Sequence, residues 1–270
     1  RVYAPDFPGF GWADNREEYW SRLGSVGHVD FIQRFADALC LDEFSITGNS
    51  MGCASTLNYT LAHPERVKNF ILLAGTVGDI VDPASKKRGT MDVRALNRDV
   101  FDGTEAGMRR VLEGLVQDTS KIPEDVVKMR TLAANRQRES LAAQWNFADN
   151  LQRLPKFRAR TSSVNRITQI GIPALYAFGS EDQMVPVQNG YVDEDATPDI
   201  QYFYPVGAGH QLQNDRPELF NPLFLEFFRD SKVSWKTAEA AGVSRRRPIN
   251  PNLIEEPAGG FPAPTPEAYV

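Results

Sequence analysis

Sulfur and imidazole are scarce in this chain. Its 270 residues hold two cysteines, Cys40 and Cys53, and three histidines, His28, His63 and His210. Two thiols cannot build a disulfide framework, and their scarcity favours a reducing, cytoplasmic compartment. No run approaches the ~20 consecutive apolar residues that a membrane span needs. An excess of basic charge is missing as well: 30 Lys+Arg face 35 Asp+Glu, a formal net charge of −5, which leaves no electrostatic footprint for nucleic acid. Internal repeats are absent. Any mechanism that needs an imidazole therefore has few candidates. What is present, 41% hydrophobic and 24% charged residues, is the composition of a globular chain long enough to bury a large core, as one domain with an insertion or as two small domains.

The punctuation of the chain gives its organisation. Val2–Ala4 reads as a short buried strand stopped by Pro5, and Asp6-Phe-Pro-Gly-Phe-Gly11 is dense enough in Gly and Pro to be a loop. Apolar residues Phe31, Ile32, Phe35, Ala36 and Leu39 recur at helical spacing over 28–40. Two short apolar runs, Phe44–Thr47 and Phe70–Ala74, flank a helix-like Ala54–Ala62. Strand, helix, strand without a hairpin turn indicates a parallel βαβ unit. From Asp82 to Arg166 charges are dense and no strand is evident, while Thr104–Asp118 and Glu124–Trp145 carry helical periodicity. Strands return at Pro173–Phe178 and Ile200–Tyr204, followed by a closing amphipathic helix over Glu218–Arg229. This divides the chain into a first core part over 1–81, a helical insertion over 82–166, a second core part over 167–231 and a tail over 232–270. The tail, with Arg245-Arg246-Arg247 and six prolines, has the composition of an extended or disordered segment.

Gly48-Asn49-Ser50-Met51-Gly52 stands between a predicted strand and a predicted helix, the context that G-x-S-x-G requires. A tight turn there lifts the Ser50 hydroxyl clear of the strand end, with small residues on either side so that the strand and helix backbones can approach. The backbone N–H of Met51, at the helix N-terminus, faces the place where an oxyanion would form. A serine hydroxyl is a weak nucleophile at neutral pH and needs a base, itself oriented by an acid. His63 lies in Ala-His-Pro-Glu at a helix end and His28 opens a surface helix, whereas His210 follows the last apolar strand on the Gly-rich loop Val206-Gly-Ala-Gly-His210. The acid is expected after the preceding strand, where Gly179-Ser-Glu-Asp-Gln-Met-Val-Pro186 offers Glu181 and Asp182. We prefer Asp182, and the order Ser50, Asp182, His210 is that of α/β-hydrolases.

These residues resemble an α/β-hydrolase of the meta-cleavage product hydrolase family, over about residues 1–230. The resemblance rests on Asp6–Gly11, on Gly48–Gly52 with Ala62-His-Pro-Glu-Arg66-Val, and on Gly179–Pro186. The more discriminating part is Thr104–Met108 through Leu115–Asp118 with Met129-Arg130, which is similar to that family's cap helices. It implies the α/β-hydrolase fold, a mostly parallel sheet flanked by helices, with a helical cap. It implies Ser50, Asp182 and His210 as the triad and Asn49 beside the nucleophile. Arg130 would meet the carboxylate and delocalised oxyanion of a dienoate, and Trp145 with Phe147 would shape the distal pocket. The implied reaction is hydrolysis of a carbon–carbon bond in a 2-hydroxy-6-oxo-2,4-dienoate, without metal or organic cofactor. Its only partner would be the small-molecule substrate, with neither nucleic acid nor membrane, and the chain could form a homodimer or higher homo-oligomer.

Three positions depart from the family pattern. Gln211 stands where a Trp often follows the histidine, Cys53 stands where a Gly usually follows the elbow, and the 232–270 tail has no counterpart. The resemblance also aligns Val2–Ala4 with the family's fourth strand, from which we expect an N-terminally incomplete hydrolase lacking the second oxyanion loop. Two rival expectations share the motif: a carboxylesterase or other C–O or C–N hydrolase, and a catalytically inactive fragment.

Overall fold

In the computed structural model, which describes residues 1–21, 26–75, 101–144, 164–167 and 169–269, strands β1 (Phe44–Asn49), β2 (Val67–Leu73), β3 (Ala174–Ala177) and β4 (Gln201–Phe203) form one sheet in the order β1-β2-β3-β4. Every neighbouring pair is parallel. Phe70, Ile71, Leu72 and Leu73 are all buried, the unbroken apolar run expected of a parallel strand covered on both faces. Their side chains alternate between two cores. Ile71 and Leu73 join Leu175, Phe203, Phe220, Leu223 and Phe227 on one face, and Phe70 and Leu72 join Leu57, Tyr59, Tyr176 and Tyr202 on the other. Burying each large side chain of this kind contributes about 1.5–3 kcal/mol, so the sheet is a rigid platform for the loops at its strand ends.

Helices α1 (His28–Ala38) and α2 (Met51–Ala62) cover the second face. Pro64 ends α2, because the residue before a proline is pushed out of the helical region, and His63 has φ −134 and ψ 59. Helices α3 (Glu105–Glu113) and α4 (Glu124–Arg136) pack through their own cluster of Met108, Leu112 and Val127. Beyond α4 the helical backbone resumes over 138–144. Helix α5 (Val187–Ala196) precedes β4, and α6 (Pro217–Asp230), with proline at its first position, packs its phenylalanines on the first face.

Two expectations need correction. Val2–Ala4 is not a strand: it has no regular structure, and Val2 is 95% exposed. An apolar triplet becomes a strand only where another strand offers it a ladder, and none among the described residues lies beside it. The second correction concerns the 232–270 tail, which packs onto the core. Helix α7 (Trp235–Ala240) follows α6, and Val233, Val243, Ile249, Leu253 and Ile254 are buried in the α6 cluster. Val243 bridges Phe203 in antiparallel fashion, and Ser244 N–H donates to the Tyr202 carbonyl at 2.8 Å. The tail thus covers the outer edge of β4, which would otherwise present unpaired backbone groups. Arg246 pairs with Glu194 at 3.1 Å and, with Arg247, reaches Asp195 at 3.2 Å. No helix among the described residues is long and apolar enough to cross a membrane.

Candidate active site

Ser50 sits at the turn from β1 into α2 with φ 55 and ψ −114. A non-glycine residue at positive φ stores strain on the order of 1–3 kcal/mol, the mark of a position held by its surroundings. Ser50 N–H donates to the Leu73 carbonyl at 2.8 Å, so β2 anchors the turn. The Ser50 hydroxyl makes no capping bond to α2 and stays available. Met51 N–H opens the helix with no acceptor among the described residues, one of the orphan donors of a helix start. A Cβ on Gly48 would fall on the carbonyl of Gly52, whereas one on Gly52 would meet nothing. The close approach of strand and helix therefore constrains Gly48 and leaves Gly52 sterically open, which narrows the sequence expectation.

His210 and Asp182 meet in the interior. His210 Nδ1 lies 2.8 Å from Asp182 Oδ2, and both side chains are buried. Asp182 Oδ1 accepts Met184 N–H at 2.8 Å and Val185 N–H at 2.9 Å, so the carboxylate is fixed in orientation before it meets the ring. A carboxylate only accepts, which assigns the proton to Nδ1 and leaves Nε2 as the free base. The two remaining histidines have other duties. His28 is buried rather than on the surface: Phe7 stacks on it at 3.9 Å, Ser55 Oγ lies 2.7 Å from its Nδ1, and burial pushes its pKa down to about 4. His63 stands at the end of α2, 3.6 Å from Glu65.

Glu181, the alternative acid, holds the histidine loop instead. Its Oε2 accepts Gly207 N–H at 2.8 Å and Ala208 N–H at 3.0 Å. A Cβ on Gly179 would collide with the carbonyls of Ala208 and Gly209, so the end of β3 touches this loop directly. Asn49 Nδ2 donates to the His210 carbonyl at 2.9 Å and to the Leu73 carbonyl at 3.3 Å. Its amide nitrogen therefore joins the elbow to the histidine loop, a role its position in the motif did not announce.

Among the described residues the insertion meets the core at two places. Gln137 Nε2 donates to the carbonyls of Gly11 and Ala13, each at 3.1 Å, and Ser140 Oγ donates to the Gly9 carbonyl at 2.9 Å. At the other place Gln211 N–H donates to the Leu115 carbonyl at 2.8 Å. Arg130 lies on α4 beside the exposed Met129 and Leu132. Its guanidinium is solvent-accessible yet desolvated by surrounding protein, which lowers its pKa from the ordinary arginine value. Among the described residues no ion pair or hydrogen bond ties it to an acid, or to Ser50, Asp182 or His210. Trp145 and Phe147 lie outside the described residues. Cys53 is fully buried, and desolvation pushes its thiol up to about 12. It packs at the start of α2 as an inert side chain.

The sequence and the fold have counterparts in known proteins. A model of the alpha/beta hydrolase fold matches residues 1–217. A 2-hydroxy-6-oxononadienedioate/2-hydroxy-6-oxononatrienedioate hydrolase of Cupriavidus pinatubonensis is 28% identical over 229 residues, 84% of this chain and 75% of that protein. A 2-hydroxy-6-oxo-6-phenylhexa-2,4-dienoate hydrolase of Burkholderia cepacia is 27% identical over 229 residues, 84% of this chain and 76% of its own length. Among solved structures, the meta-cleavage product hydrolase of Pseudomonas fluorescens IP01 superposes with a TM-score of 0.66 at 24% identity, covering 85% of this chain and 79% of that one.

Proposed function

This chain belongs to the alpha/beta hydrolase fold family, and from that premise we propose that it hydrolyses a carbon–carbon bond in a 2-hydroxy-6-oxo-2,4-dienoate through Ser50, His210 and Asp182. The observation that carries the chemistry is the buried His210–Asp182 contact of 2.8 Å, made by the residue whose backbone Asn49 ties to the serine elbow. The substrate class follows from relatives named as hydrolases of such dienoates across 84% of this chain.

The roles follow from the chemistry each group can perform. His210 Nε2 moves protons: it takes the 2-hydroxyl proton of the dienol and delivers it to C5 on ketonisation, then takes a proton from Ser50 or from water as oxygen attacks the C6 carbonyl. Met51 N–H stabilises the oxyanion that forms there. Cleavage of the C5–C6 bond releases the C6 side as a carboxylic acid, and its electron pair delocalises from C5 onto the C2 oxygen, which takes a proton to leave a 2-hydroxypenta-2,4-dienoate. One water is consumed, and neither metal nor organic cofactor enters. Arg130, exposed and without an acid partner among the described residues, supplies the positive charge that the substrate carboxylate and the delocalised oxyanion call for. Asn49 Oδ1 accepts no hydrogen bond among the described residues and would face the substrate while its Nδ2 holds the loop.

Loss of the ring-fission product's visible absorbance, compared with hydrolysis of a p-nitrophenyl ester, tests this reading on the purified protein and its Ser50→Ala variant. The expected result is fast, Ser50-dependent loss of the yellow dienolate and slow ester turnover. Ester activity far above dienoate activity would instead make the protein an esterase, and turnover surviving Ser50→Ala would remove the triad.

A further inference from the structure

Three consecutive backbone N–H groups just before His210 end on carboxylates. Gly207 and Ala208 donate to Glu181, and Gly209 donates to Asp215 Oδ2 at 2.8 Å. The other oxygen of Asp215 turns to the helical insertion: Oδ1 accepts Gln117 N–H at 2.9 Å and Asp118 N–H at 3.4 Å. Asp215 is 5% exposed, and among the described residues no Lys or Arg pairs with it. Among the described residues the donors to this buried carboxyl group are backbone N–H groups. Hydrogen bonds to an ionised acceptor are shorter and about twice as strong as neutral ones. Beside the clasp, Gln211 N–H donates to the Leu115 carbonyl at 2.8 Å, and a Cβ on Gly209 would already lie 3.1 Å from Gln117 N. His210 is thus bracketed, at Gly209 and at Gln211, by contacts to a segment about a hundred positions earlier in the sequence.

We propose that Asp215 is a positioning residue that makes the placement of His210 depend on the seat of the helical insertion. The inference rests on His210 being the base for Ser50. A carboxylate holding both segments by their backbones transmits any shift of residues 115–118 to the residue preceding the imidazole. A misplacement of about 1 Å in a catalytic group costs about 100-fold in rate. The seat of residues 115–118 and the alignment of the base are then set together.

The test is Asp215→Asn in the full chain, which keeps the shape but replaces one accepting oxygen with a donor. The readout is the rate constant and final extent of covalent labelling at Ser50 by a fluorophosphonate, which needs the serine and its base but no dienoate. The expected result is full extent with a rate constant lowered 10–100-fold, and kcat on the ring-fission product lowered by a similar factor. A reduced extent at an unchanged rate constant would mean that Asp215 only keeps molecules folded, and it would overturn the proposal, as would a rate constant within twofold of wild type. Should Asp215→Asn not fold, Gln117→Pro removes the shorter of the insertion's two donors while leaving the carboxylate, and it carries the same expectation. Wild type that labels but ignores the dienoate defeats the carbon–carbon reading and leaves this comparison standing. Wild type that does not label defeats the triad, and this proposal with it.

Discussion

Asn49 Nδ2 donates to the carbonyl oxygen of His210 at 2.9 Å, so the residue before the elbow serine grips the backbone of the histidine. Replacing it with Leu removes the donor and leaves that carbonyl unpaired. The expected cost is about 1–3 kcal/mol of stability, read as a lower urea midpoint, together with at least a tenfold fall in kcat. Unchanged turnover in Asn49→Leu would show that the loop is held well enough without it.

The neighbours Glu181 and Asp182 separate by geometry, since only Asp182 touches the ring. Asp182→Asn leaves the ring in the wrong tautomer and should lower kcat on the order of 10³–10⁴-fold. Glu181→Gln retains an accepting oxygen for the loop and should lose less than about tenfold. Steady-state kinetics on either substrate checks the contrast; equal losses would mean the acid is misassigned.

Gly48→Ala and Gly52→Ala form a steric pair. The first drives a Cβ into the Gly52 carbonyl and should cost about 3 kcal/mol or more. The second enters open space at the start of α2, where alanine's helical preference makes it neutral or stabilising by up to about 1 kcal/mol. Thermal melts of the two variants should move far apart.

Burial lowers the His28 pKa from 6.5 to about 4, so the folded protein holds this ring neutral while the unfolded chain takes up the proton at higher pH. Its contribution is full above about pH 6.5 and is lost as pH falls toward 4, with about 2 kcal/mol gone by pH 5. His28→Gln keeps a partner for Ser55 but cannot titrate. Urea unfolding at pH 7.5 and pH 5 should show a smaller pH difference in the variant by that amount, and an identical difference would exclude His28 as the titrating group.

Cys40 is exposed and Cys53 is buried with its thiol pushed up to about 12. Iodoacetamide at pH 8 should therefore add a single carbamidomethyl group to the native protein, at Cys40, and a second only after denaturant. Mass spectrometry reads both, and native labelling of Cys53 would mean that its site opens readily.

Much of the core was legible because its signals are local. The apolar runs at 44–47, 70–74, 173–178 and 200–204 became β1 to β4 with boundaries shifted by a few residues, and the helices at 54–62 and 218–229 became α2 and α6. The strand expected at Val2–Ala4 failed because a strand depends on its neighbour, which hydropathy does not report. The tail was misread for a related reason. Its prolines and arginines dominate the composition, while Val243, Ile249, Leu253 and Ile254 follow no period, and only the α6 cluster and the open edge of β4 give them a place to be buried.

The sequence by itself determined the elbow, the order of serine, acid and histidine, and the alternation of strands and helices, because each is written in neighbouring residues whose backbone chemistry is local. Only the tertiary structure decided that Asp182 rather than Glu181 meets the imidazole. It alone turned Glu181, Asn49 and Asp215 into holders of one loop, and made the proline-rich tail part of the core. Those outcomes depend on hydrogen bonds between segments up to 161 positions apart. The scarcity of histidine narrowed the candidates for a base to three, and their partners tell them apart: one ring is stacked under Phe7, one stands at a helix end beside Glu65, and one is aligned by a carboxylate at the end of the sheet.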